Sequence, residues 1–384
     1  MSITLEPMDI GGRLHRLRDL LSKRSEEHAE ADSPGEQPVE ALVVTNLSNV
    51  RYLTGFTGSA AILVVTPRAA MLTTDGRYRT QSAEQVRAAG ADVEITIGGV
   101  QAQRDAVKEA LGGCTSVGLE AEDVTWAASR RWREVLQGMD VQATAGLVEA
   151  LRETKDPGEI ARMGQAAAIA DAALGDVLPL LHRAIAEQVT EARVALELDT
   201  AMRRRGAEGT AFETIVASGP NSAKPHHRPD DREIRAGDAV VIDFGATFDG
   251  YRSDMTRTFC VGGEPEGELA RVIEVVARSQ KAGVASVRAG AGAKDVDQVC
   301  RDIIVDAGWG EAFEHGTGHG VGLDIHEAPS VSPLGTAILS PGTVVTVEPG
   351  VYLPGIGGVR IEDTLVVTDD GSRALTNFTK DVIV

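Results

Sequence analysis

Aromatic side chains are scarce in this chain of 384 residues, at 4%. Packing therefore falls to Val, Ile, Leu and Ala, which together with 42 glycines leans toward α/β layering. Cysteine is rarer still. Cys114, Cys260 and Cys300 lie far apart and form no CxxC pair, which excludes a disulfide framework and suits a reducing compartment. No run of about 18 apolar residues is present, so no membrane span is expected. The stretch "MSITLEPMDIGGRL" has no basic start followed by an apolar segment, so no signal peptide is expected and the cytoplasm is the default location. Positive charge is in deficit, with 38 Lys and Arg against 57 Asp and Glu and a net charge of −19. Such a surface repels nucleic-acid backbones and anionic membranes, leaving neither as an expected partner. It attracts cationic groups such as a peptide's α-ammonium.

The length predicts two or three domains with ample core. A short helix is expected at 11–22, followed by a polar insertion, "KRSEEHAEADSPGEQPVE" (23–40), that carries a solvated His28. Residues 41–150 alternate strand-like runs (41–45, 60–66, 69–74, 115–120) with helices at 77–90 and 103–113, as an α/β module does. Asp156-Pro157 then starts a long Ala-rich helix. The domain division is placed just before it, giving 1–146 and 147–384. Strands are read at 239–246, 253–261, 343–348 and 359–368, between helices at 192–206, 266–288 and 294–307. An α+β domain with an antiparallel sheet backed by helices fits.

Asp is depleted in strands, so Asp243 in "AVVIDFG" and Asp254 in "RSDMTRTF" call for a reason. Asp249-Gly250 between them is a hairpin signal. A two-residue loop pairs Phe248 with Tyr251 and makes Asp243 the diagonal neighbour of Asp254. A four-residue loop sets the two acids directly opposite. Either way both carboxylates share one face, where a divalent cation converts repulsion into coordination. Each alone reads more readily as a strand end or turn cap, and only the same-face pair on an apolar hairpin favours metal. Glu348 ends the apolar run "TVVTVEPG", and Glu362 is read mid-strand in "GVRIEDTLVV" with Arg360 on its face; the plain alternative is an Arg–Glu surface pair. Asp363 alternates to the other face.

The segment "EHGTGHGVGLDIHE" (314–327) places His315, His319 and His326 among four glycines, which disfavour a helix. It lacks the pattern of a phosphate loop or a dinucleotide fingerprint. Glycines let the backbone approach closely, so a short imidazole reaches a buried metal. His15 and His182 fall on predicted helices and read as structural or exposed. Two Asp, two Glu and one or more His make a hard, oxygen-rich set suited to Mn²⁺ or Co²⁺, with Zn²⁺ also compatible. Two such metals about 3.5–4 Å apart can share a water and lower its pKa.

Taken together, "DFGATFDGYRSDMTRTF", "HGTGHGVGLDIHE", "VVTVEPGVY" and "GVRIEDTLVV" resemble the pita-bread metallopeptidases, the group of aminopeptidase P, prolidase and methionine aminopeptidase. "NLSNVRYLTGFTGSAAIL" (46–63) resembles the creatinase-like N-terminal domain of the first two, and "ASGPNSAKPHH" (217–227) the segment supplying a substrate-side histidine. The resemblance implies an α/β creatinase-like domain at 1–146 and an α+β pita-bread catalytic domain, a curved antiparallel sheet backed by helices, at 147–384. It implies two metals, first Mn²⁺, held by Asp243, Asp254, His319, Glu348 and Glu362, with Asp254 and Glu362 bridging. It assigns His226, His315 and His326 to the substrate side, gives Glu348 a part in deprotonating the shared water, and makes Arg360 a support for the metal carboxylates. His227 receives no role. The expected function is an aminopeptidase that removes a residue preceding proline through a hydroxide shared by both metals, and the expected assembly is a homodimer. The rivals are a dipeptidase limited to Xaa-Pro, a non-catalytic binding protein on the same fold, and a metal-free amidinohydrolase.

Overall fold

The structure is a computed structural model, and it describes residues 5–30, 38–381 and 383–384. The chain divides into two compact units, Met8–Arg152 and Glu153–Val384 together with the first residues through Pro7.

The N-terminal unit is built on a six-stranded mixed sheet. In spatial order its strands are Glu94–Ile97, Ala70–Thr74, Ile62–Val65, Ala41–Val44, Ser116–Glu120 and Asp140–Thr144. Ala41–Val44 is buried throughout, as the central strand of a sheet covered on both faces is. Val107, Leu111, Trp132 and Leu136 of the helices pack on Val43, Val64, Val117 and Val141. Both outermost strands escape the sequence reading because Glu94–Ile97 and Asp140–Thr144 are short and partly polar. The first helix runs from Arg13 to Glu30, well past the expected end at residue 22. Its extension "KRSEEHAE" contains no Gly or Pro and is made of good helix formers, so nothing in it stops the helix. The His28 side chain and residues 31–37 of the expected insertion lie outside the described residues.

The C-terminal unit is α+β, as expected. One antiparallel sheet orders Met255–Cys260, Ala239–Phe244 and Ile215–Ser218. A second orders Glu327–Val331, Gly318–Gly320, Val344–Val347, Asp363–Thr368 and Gly371–Ala374. Helices Pro157–His182 and Glu191–Arg204 back the first, burying Leu174, Val194 and Leu198 against Val240, Ile242 and Phe259. Helices Gly267–Ser286 and Ala293–Asp306 back the second, where Val296 and Cys300 meet Val345, Val347 and Leu365. Helix 157–182 begins with a full capping box: Asp156 Oδ1 accepts from Glu159 N at 2.9 Å, and Glu159 Oε2 accepts from Asp156 N at 3.0 Å. By length and composition alone this helix is apolar enough to cross a membrane. Half of its most apolar window is buried inside the protein, so the apolarity is met by the core.

Two of the strands read from sequence as continuous are in fact interrupted, and a third begins later than expected. The first breaks after Phe244, and Ala246–Phe248 joins a different small sheet. The break falls at Gly245, where an added Cβ would lie 1.9 Å from the Ser253 carbonyl oxygen, a backbone atom that cannot step aside. The second divides 359–368 into Gly357–Arg360 and Asp363–Thr368, whereas the strand read at 253–261 runs unbroken as Met255–Cys260, separated by Ser253 and Asp254 from the short strand Tyr251–Arg252 before it. Asp254 and Glu362 sit in the gaps, not within strands.

Beneath these gaps lies Arg257, 2% exposed. Its Nη2 donates to Asp363 Oδ1 at 2.9 Å and to the Phe378 carbonyl at 2.7 Å. Its Nη1 donates to the carbonyls of Thr256 and Glu362. The guanidinium therefore fixes the chain at Glu362 and Asp363, where the second broken strand resumes. Replacing it by Met (Arg257→Met) leaves the buried Asp363 carboxylate, among the described residues, with Gln280, Thr376 and Lys380. The expected cost is about 3 kcal/mol, a fall of roughly 10 °C in the melting midpoint of this unit. A calorimetric midpoint within 2 °C of the parent would show that the guanidinium carries no such load.

Candidate metal and substrate site

The hairpin that carries the first two acids turns on Asp249 and Gly250, with φ of 45° and 72°. Positive φ at both positions matches the right-handed twist of the flanking strands. Phe248 pairs with Tyr251, and the same register continues to Met255↔Phe244 and Thr256↔Asp243. This is the two-residue-loop alternative, so Asp254 is the diagonal neighbour of Asp243 on one face. Thr256, not Asp254, stands directly across from Asp243.

Glu348 follows the strand Val344–Val347, and its N–H donates to the Thr317 carbonyl at 2.7 Å. Glu362 occupies the gap after Arg360 and is 1% exposed, which rules out the surface-pair reading. Arg360 pairs instead with Asp243, Nη2 to Oδ2 at 2.7 Å. Its Nε donates to Thr256 Oγ1 at 3.1 Å, and that hydroxyl donates to Glu362 Oε2 at 2.7 Å. Arg360 Nη1 donates to the Tyr352 hydroxyl at 2.7 Å, and His315 Nε2 lies 2.9 Å from the same oxygen. One guanidinium thereby orients an acid, a threonine and, through tyrosine, a histidine.

His319 stands at the centre. Its Nδ1 lies 3.0 Å from the Gly320 carbonyl and donates there. That leaves Nε2 with a lone pair, 3.6 Å from Asp254 Oδ2 and 3.4 Å from Glu348 Oε1. A lone pair facing two carboxylate oxygens is reconciled only by a cation or a proton between them. Ligand atoms of Asp254, His319 and Glu362 all lie within 4.8 Å of one another. Asp243 Oδ1 and Glu362 Oε1 are buried with no hydrogen-bond partner among the described residues, although such atoms are almost always satisfied. Hard oxygen donors, one imidazole and two orphaned buried oxygens fit divalent metal ions. The backbone crowds in to allow it: a Cβ on Gly318 would lie 2.1 Å from the Thr346 carbonyl oxygen.

The electrostatics agree. Burial, then the neighbouring Glu362 and Asp243, raises Asp254 well above the carboxylate range. Glu362 rises in the same way, through burial, Glu348 and Asp243. Burial lifts Glu348 to about 8. Burial and the Arg360 charge push His315 down to about 4, so its ring is uncharged at neutral pH. His326 is lowered by burial and the nearby His319, whose ring centroid lies 4.4 Å away.

All the residues singled out from sequence meet at one cavity of about 500 Å³. Asp243, Asp254, His319, Glu348, Glu362 and Arg360 line its floor, and His226, His315 and His326 also face it. His226 is exposed there, without a hydrogen bond among the described residues. Thr256, Tyr352 and the pair Glu191–His227 were not read from sequence. Thr256 had a signal, since it lies two residues from Asp254 on the same face. Tyr352 and Glu191 had none, because their partners are distant in sequence.

Residues 161–369 match the family described as Metallopeptidase family M24, and residues 32–154 match the Creatinase/Prolidase N-terminal domain. A curated relative, the Xaa-Pro dipeptidase of Pyrococcus horikoshii, is 34% identical over 90% of this chain and 95% of its own length. Among solved structures, the Xaa-Pro dipeptidase from Bacillus anthracis superposes with a TM-score of 0.87 at 36% identity, covering 97% of this chain and 100% of that one. The X-Pro aminopeptidase from Thermotoga maritima MSB8 gives 0.81 at 34% identity, covering 90% and 98%.

The raised carboxyls make a signed pH prediction. Glu348 moves from its ordinary 4.5 to about 8 when folded without metal. Its contribution to stability is therefore fully present below about pH 4.5 and is lost as pH rises through about 8. Metal binding needs the ionised form, so it strengthens over the same range and releases protons. The gap in melting temperature between metal-loaded and chelated protein should widen from about pH 6 to 9. Calorimetry in buffers of different ionisation enthalpy should show proton release at pH 7. A gap that stays constant with pH, and binding without proton release, would contradict the carboxylate cage.

Proposed function

The chain belongs to metallopeptidase family M24 with a creatinase/prolidase-type N-terminal domain, and on that premise we propose that it hydrolyses the Xaa-Pro bond at peptide N-termini. The observation that carries this is the facing of the His319 Nε2 lone pair toward Asp254 and Glu348 in a cavity that also holds Asp243 and Glu362. In this reading Asp243, Asp254, His319, Glu348 and Glu362 hold two divalent ions, Mn²⁺ in first place and Co²⁺ or Zn²⁺ as alternatives. When bound, the ions supply Lewis-acid chemistry, lowering the pKa of water and drawing negative charge from the scissile carbonyl.

The chain's own residues do the rest. Glu348 takes the proton that water gives up on attack. Arg360 keeps Asp243 and Tyr352 fixed, so the carboxylates do not spread when loaded. His315, locked between Tyr352 and the Gly316 carbonyl, orients the scissile amide. His226 and His326 face the cavity and support the oxyanion and the departing proline nitrogen. A proline amide has no N–H, so recognition rests on the shape of the pyrrolidine ring; Phe212, Ile215, Pro225 and Ile325 supply apolar wall for it. The reading includes a cytoplasmic homodimer. Cys260 and Cys300 suit a reducing compartment as buried thiols, pushed up to about 11 and about 12 by burial.

The relatives named as dipeptidases favour a second reading, in which only Xaa-Pro itself is cleaved. One comparison separates the two and tests the whole. Chelated and manganese-reconstituted samples are assayed on Xaa-Pro, Xaa-Pro-Yaa-Zaa and their alanine counterparts. The proposal expects no activity after chelation, recovery with manganese, and cleavage of both proline peptides over alanine. Turnover of the dipeptide alone assigns the second reading. Activity that survives chelation, or equal use of alanine, sinks both. A second test concerns the cage. His319→Ala should lose at least one metal equivalent by elemental analysis, with the fold intact by circular dichroism. Unchanged stoichiometry would remove His319 from the ligand set.

A further inference from the structure

His227 also lines the cavity, next to His226, yet the reading above leaves it idle. Its Nε2 lies 2.7 Å from Glu191 Oε2. Glu191 opens the helix Glu191–Arg204 and is 0% exposed. Its carboxylate is already well satisfied. Oε1 accepts from the Ser218 N–H at 2.7 Å, the Ser218 hydroxyl at 2.6 Å and Asn221 Nδ2 at 3.2 Å. Oε2 accepts from Asn221 Nδ2 at 3.2 Å and the Asp230 N–H at 3.4 Å. The helix N-terminus adds a favourable field. A carboxylate so supplied does not need an imidazole for its own sake. The pairing serves the histidine, fixing ring orientation and tautomer as a buried acid does.

We propose that His227 is a substrate-binding residue of this site and that Glu191 is the residue that positions it; the proposal rests on the peptidase reading. Because the carboxylate accepts, Nε2 carries the hydrogen. In the tautomer that the carboxylate selects Nδ1 is the acceptor, and the ring makes no other hydrogen bond among the described residues. The group it suits is a peptide N–H. Proline's own nitrogen has none, and the substrate's first N–H beyond the scissile bond is that of the residue after proline. His227 neighbours Arg228, which is paired with Glu213 at 3.2 Å, both side chains well exposed at the cavity wall. That is the open side, where a longer peptide continues. His227 thus reads Xaa-Pro-Yaa, and a bare Xaa-Pro dipeptide has no N–H to offer it.

The experiment compares kcat and KM for Xaa-Pro-Yaa-Zaa and Xaa-Pro in the metal-loaded parent, His227→Leu, Glu191→Gln and the double variant, with metal content and melting temperature measured on each. The expected result is a tenfold fall in the tetrapeptide-to-dipeptide ratio of kcat/KM for His227→Leu, carried by KM, with metal retained. Glu191→Gln should move the ratio the same way, and the double variant should be no worse than the larger single effect. Should Glu191→Gln fail to fold, His227→Leu decides alone. An unchanged ratio, equal losses on both lengths, additive effects, or a parent that cleaves only the dipeptide overturns the proposal while leaving the peptidase reading in place. A parent inactive on both peptides overturns the two together.

Discussion

Asp243, Asp254, Glu348 and Glu362 share one cavity, three of them raised in pKa mainly by their burial, with Arg360 as a fixed cation among them. Like charges held this close in a poorly solvated space repel strongly, and one guanidinium does not balance four acids. The surrounding structure is organised to hold that imbalance in place. Threonine hydroxyls steady single oxygens, Arg257 pins the chain around Glu362 from below, and two oxygens are left without a partner among the described residues. The stability sacrificed here is recovered elsewhere, in the apolar seams between helices and sheets.

The interrupted strands follow from the same requirement. Side chains on a continuous strand alternate faces, so acids from several strands meet at one point only where the backbone departs from the ladder. Asp254 and Glu362 occupy such departures, and Glu348 sits at the end of its strand. Each break places a carboxylate where a regular sheet would aim it along a fixed perpendicular. Function and irregularity coincide because convergence is not available to an unbroken sheet.

Much of this was legible beforehand. Asp249-Gly250 sets a register that puts Asp243 and Asp254 on one face, because a two-residue turn leaves little freedom. Asp156-Pro157 announced the long helix through its cap. The strand breaks were not legible, since an apolar run does not reveal which sheet each part joins. Arg360 is read on the face of Glu362 from their spacing of two, yet it pairs with Asp243 and reaches Glu362 only through Thr256, the strand being interrupted between them. Strands 94–97 and 140–144 were too short and polar to stand out from turns. Glu191 and His227 are separated by 36 residues and lie on unrelated elements, so only the folded chain joins them.

Gly245 and Gly318 have no side chain to offer, yet each is pressed against a carbonyl oxygen of the main chain, at 1.9 Å and 2.1 Å from where a methyl would stand. Two backbones pass at nearly touching distance so that side chains beyond them can converge. Evolutionary drift around this centre is therefore confined by vacancies as much as by chemistry. A single added carbon at either crossing would have to pry the two backbones apart.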